Sequence, residues 1–70
     1  MTPGHPTADA IFEHILRGTA SAHLIAHDTG TRELRHALAA LSTFRGPGTF
    51  ARDVAVALIR DELSEREGGQ

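Results

Sequence analysis

Seventy residues with no cysteine, tryptophan or tyrosine and a formal net charge of −2 accommodate one domain and exclude a disulfide framework, a cysteine-based zinc site and thiol chemistry. No apolar run approaches the ~20 residues of a membrane-spanning helix. The opening Met1-Thr2-Pro3-Gly4-His5-Pro6 lacks the charge and hydrophobic stretch of a secretory leader, so a cytoplasmic protein off the membrane is expected.

Residues 1–6 read as a flexible lead-in, since two prolines and a glycine oppose a helix. Thr7 is the expected N-cap of the first helix, with Asp9 in its first turn to suit the helix dipole. Ala8, Ile11, Phe12, Ile15 and Leu16 then share one side, and Glu13 with Arg17 forms an i,i+4 pair in the favourable order. Gly18 leaves two readings. Ile11, Ile15, Gly18, Ala22 and Ile25 repeat at helical spacing, which favours one continuous helix over 7–28. The alternative breaks it at Gly18, with Thr19 capping a second helix to His27.

Asp28-Thr29-Gly30-Thr31 reads as a turn, with Gly30 as a left-handed cap and Thr31 capping a helix over 31–44. Leu34, Ala37, Leu38, Leu41 and Phe44 fall on one face of that helix. Arg45-Gly46-Pro47-Gly48 is the clearest break in the chain. Thr49 is expected to cap a last helix over 49–67, and 68–70 form a frayed tail. No alternating β-branched run marks a strand. The expected fold is all-α: one domain over 7–67, a small bundle of three helices, or four if Gly18 breaks the first.

The core is thin. Seven Leu, four Ile, two Val and three Phe make sixteen large apolar residues, and eleven alanines add helix propensity but little buried area. Chains this short seldom hold together on one such core, so a homo-oligomer or a protein partner is expected. The last helix points the same way. Phe50, Val54, Ala57 and Leu58 occupy one arc; Val56, Ile59 and Leu63 occupy the roughly opposite one. A surface helix of a monomer needs one apolar stripe. The second arc, with Arg52 and Arg60 flanking Val56, Ile59 and Leu63, is therefore the expected interface with another chain.

Other chemistries find less support. His23 and His27 stand at i,i+4, the spacing with which two imidazoles share a zinc ion. Nothing nearby completes the set, so no metal and no cofactor is expected. Ser21, Ser42 and Ser64 lie in ordinary helical contexts, and Glu13-His14 point apart on a helix, so a non-enzymatic protein is expected. Arg45-Gly46-Pro47-Gly48-Thr49, with Arg52, offers an anion the start of a helix but lacks the P-loop ending.

The alternative function is DNA binding. Ile25-Ala26-His27-Asp28-Thr29-Gly30 contains the Ala-x-x-x-Gly spacing of helix-turn-helix motifs, and Arg32, Arg35 and His36 would form the groove-facing row. Thr31 and His36 stand where that motif packs apolar residues, and the net charge is acidic, so nucleic acid is not the favoured partner. All seven basic residues are arginine, a bias associated with high-GC bacterial genomes. A small accessory subunit, adaptor or regulator of a bacterial or phage system fits these features.

Overall fold

The computed structural model describes residues 4–18 and 20–68. Four helices follow one another: α1 Pro6–Leu16, α2 Ser21–Asp28, α3 Thr31–Thr43 and α4 Thr49–Gly68. The small all-helical bundle expected from the sequence is present, with four helices among the described residues. Residues 1–3 of the lead-in, Thr19, and residues 69 and 70 of the tail lie outside the described residues.

The continuous first helix is corrected. Gly18 takes φ +74°, a left-handed conformation that an ordinary side chain adopts only at a cost. Its N–H donates to the Ile15 carbonyl at 3.0 Å, closing α1, and α2 leaves as a separate helix. The caps also move. His5, in extended conformation, caps α1 through its side chain, and Pro6 sits in the first turn, where a missing N–H is harmless. Gly30 caps α3 in extended conformation, φ −65° and ψ 155°, not in the left-handed one.

The packing follows from the break. α1 and α4 each touch all three other helices, while α2 and α3, consecutive in sequence, barely meet. The bundle is thus a central pair, α1 with α4, flanked by α2 and α3. Its core joins Ala8, Ile11 and Phe12 of α1, Ala22 and Ala26 of α2, Leu34, Ala37, Leu41 and Phe44 at α3, and Ala51, Ala55, Leu58, Ile59 and Leu63 of α4. Every helix contributes at least one alanine, so helix axes can approach closely where large side chains are scarce. The Phe12 and Phe44 rings meet edge to face, centroids 5.2 Å apart, a favoured aromatic geometry.

The two arcs assigned to α4 resolve into one. Leu58, Ala51, Ala55, Ile59 and Leu63 span about 140° at ~100° per residue. Ala55 and Ile59, both buried, lie nearest the middle of the face, and Leu58 and Leu63, assigned to opposite sides, are its two margins. Phe50, expected in the core, is instead 80% exposed. Contact on a broad face is supplied by this chain's own α1, α2 and α3.

Candidate functional site

The expected interface on α4 is not a surface of this chain. Ile59 is fully buried, Leu63 is buried, and Val56 packs against the same core. Only Arg60 is exposed. Arg52 is half-buried; its Nη2 lies 3.0 Å from Asp53 Oδ1, while its Nε is buried with no hydrogen-bond partner. The second arc is not exposed because α1, α2 and α3 together cover it.

Large apolar groups do reach the surface elsewhere. Among the described residues, Leu16 at the end of α1, Leu24 in α2 and Phe50 at the start of α4 are the exposed large hydrophobics. Leu16, expected on the core side of α1, is instead exposed on the last residue of that helix.

Arg32, Arg35 and His36 are all exposed on α3. Arg35 is already paired with Glu67 of α4, and His36 lies beside Glu33 and His5. His23 and His27 are exposed on α2, and His27 Nδ1 lies 3.5 Å from Glu62 Oε2. The one group of three potential metal-ligating side chains among the described residues is His5, Glu33 and His36; it contains neither His23 nor His27.

The segment before α4 has a packing role. Gly48 takes φ +88°, and the Phe12 ring occupies the space where a Cβ at 48 would stand, with Phe12 Cζ 2.7 Å from that position. The Gly48 carbonyl accepts from the Arg52 N–H at 2.9 Å, the first hydrogen bond of α4. Glu13 and Arg17 form the expected i,i+4 pair, 3.3 Å apart.

One arrangement has no counterpart in the sequence motifs. Arg66, on the last turns of α4, reaches across to the connection between α2 and α3. Its Nη2 lies 3.1 Å from the carbonyl oxygens of both Ala26 and His27 and 2.7 Å from that of Thr29. Its Nη1 donates to Thr31 Oγ1 at 3.0 Å, and its Nε to Glu62 Oε2 at 3.1 Å. Thr29 Oγ1 donates to the Ile25 carbonyl at 2.6 Å. The last carbonyls of a helix have no partner within it and carry the negative end of its dipole. Here a planar cation with a fork of donors satisfies them. A basic residue at 66 is visible in the sequence; carbonyl oxygens carry no sequence signature, so its target is not.

No enclosed cavity or cleft forms among the described residues, and no helix is long and apolar enough to cross a membrane. The described residues measure 17 Å across their shortest axis, about two packed helices. Comparison with protein-family models, with curated proteins and with solved structures gave no match.

Proposed function

We propose that this chain is a small non-enzymatic helical protein that works by contact with another polypeptide, and that a second copy of itself is the partner it meets first. The observation that carries this reading is the placement of Phe50. One of three phenylalanines in the sequence is 80% exposed, in a chain whose core relies on alanine. Leu24 and Leu16, 65% and 57% exposed, add to the uncovered apolar surface. Burying a side chain such as Phe or Leu on association contributes ~1.5–3 kcal/mol, a useful gain for a chain of this size.

Sedimentation of the parent and of Phe50→Ser tests it. The parent should run heavier than one 7.5 kDa chain, and Phe50→Ser should shift the mass toward that of one chain with the helical circular dichroism unchanged. A parent that stays monomeric over a wide concentration range, or a variant of unchanged mass, defeats self-association through Phe50.

The alternative, a helix-turn-helix regulator using Arg32, Arg35 and His36, has less behind it. In that motif the two helices pack on each other across the turn, whereas α2 and α3 barely meet, and Arg35 is engaged by Glu67. Salt-dependent retention on duplex DNA would favour it over the protein-contact reading.

A further inference from the structure

We propose that His5, Glu33 and His36 form a binding site for a zinc-like divalent cation that ties the start of α1 to the first turns of α3. One ligand atom from each of the three side chains lies within 4.8 Å of the others. The His5 Nε2 to Glu33 Oε2 separation is 3.3 Å. Ligands at about 2.0–2.1 Å from a tetrahedral zinc stand roughly 3.4 Å apart, so this pair already has the spacing of one edge of the site. Glu33 and His36 stand at i,i+3 on one face of α3 and are both exposed, free to draw in by the ångström or so that the third ligand requires.

His5 is the fixed member. Its carbonyl accepts from the Asp9 N–H at 2.7 Å, and the preceding residue is tethered by the Gly4 N–H to Asp9 Oδ1 at 3.0 Å. Its Nδ1 accepts from the Ala8 N–H at 3.5 Å, capping α1. The ring is thereby turned so that Nε2 faces Glu33. Two imidazoles and one carboxylate are a donor set suited to zinc, with a fourth position left for water.

The cap and the cation compete for the same imidazole. An Nδ1 that accepts from Ala8 places the proton of the neutral ring on Nε2, where it points to Glu33. A cation at Nε2 takes the place of that proton. The neutral ring then carries its proton on Nδ1, which can no longer accept from Ala8. Loading therefore changes the His5 tautomer and removes the hydrogen-bond acceptor of the Ala8 amide. No equivalent signal is available at His23 or His27.

Zinc alone is the probe, titrated calorimetrically into the parent, into His36→Gln and into the double variant His23→Gln/His27→Gln. The parent should bind one zinc per chain and melt at a higher temperature when loaded. His36→Gln should lose at least tenfold in affinity with its metal-free melting temperature unchanged, since His36 is exposed. The double variant should bind as the parent does. Nitrogen-15 spectra should show the His5 proton moving from Nε2 to Nδ1 and the Ala8 amide shifting. The proposal is overturned by a parent that takes up no zinc, by undiminished affinity in His36→Gln, by loss of binding in the double variant, or by one zinc per two chains.

Discussion

The Arg66 guanidinium donates to the carbonyl oxygen of Ala26, 40 residues earlier in the chain, at 3.1 Å. The contact places a cation at the C-terminal end of a helix of only eight residues, Ser21–Asp28, too short to be stable alone. α2 buries Ala22 and Ala26 and packs Ile25 partly against the core, a modest apolar area for a helix. Its end is also fastened by the Arg66 guanidinium, whose two Nη2 hydrogens are shared among three carbonyl oxygens and which contributes ~1.5–3 kcal/mol in all.

Arg66→Met, which keeps much of the apolar stem and removes the donors, should destabilise the fold by about 2 kcal/mol, or roughly 10 °C in melting temperature for a domain of this size. Arg66→Lys should recover only part of the loss, because one ammonium cannot reproduce the planar fork. Urea denaturation of the three proteins measures both. A neutral Arg66→Met would mean that water serves the α2 carbonyls equally well.

Gly18 and Gly48 make a controlled pair. Both have positive φ, but nothing lies within 4 Å of a Cβ at 18, whereas Phe12 Cζ lies 2.7 Å from one at 48. Gly18→Ala should cost about 1 kcal/mol, the left-handed penalty alone. Gly48→Ala should cost about 1–3 kcal/mol more, because the Phe12 ring must yield inside a packed core. Thermal melts of the two variants compare them directly, and equal losses would show that the Phe12 ring moves aside freely.

Ile59→Glu would add a charge at a fully buried position. It should unfold the chain at every concentration, since an unpaired buried charge costs several kcal/mol and small domains have only about 5–15 in hand. Arg60→Glu, one residue on and exposed, should keep the parent's circular dichroism. A folded Ile59→Glu of reduced mass would restore the arc with Val56 and Leu63 as an interface between chains.

The sequence readings that held are those set by local pattern. The face of α3 carrying Leu34, Ala37, Leu41 and Phe44 is legible because its apolar residues repeat at helical spacing beside exposed Arg32 and Arg35. Much of the rest turns on Gly18. A left-handed glycine and a glycine inside a helix are the same letter, and the small-residue stripe through Ala22 and Ile25 suited both. Taking α1 and α2 as one helix removed a neighbour from α4, and its broad buried face then looked like two surfaces. Ala51 and Ala55, which bridge Leu58 to Ile59 on that face, carry little weight in an apolar pattern beside the larger residues. His5, Glu33 and His36 could not be grouped beforehand because the packing of α1 on α3 brings them together. Neither could Arg66, whose partners are mainly backbone oxygens.

The near absence of contact between α2 and α3 has a consequence for how the molecule breathes. Each rests separately on the α1–α4 pair, so one can detach without first dislodging the other. α3 is anchored by fully buried Leu34 and Leu41, whereas α2 rests on two alanines, a half-buried Ile25 and a guanidinium. Amide exchange within α2 should therefore proceed by a partial opening of lower free energy than global unfolding, while α3 and the central pair stay protected. Such an opening frees Arg66 and strips the cover from the adjoining sides of α1 and α4. The native state would then include a minor three-helix form that offers a partner apolar surface hidden in the closed bundle.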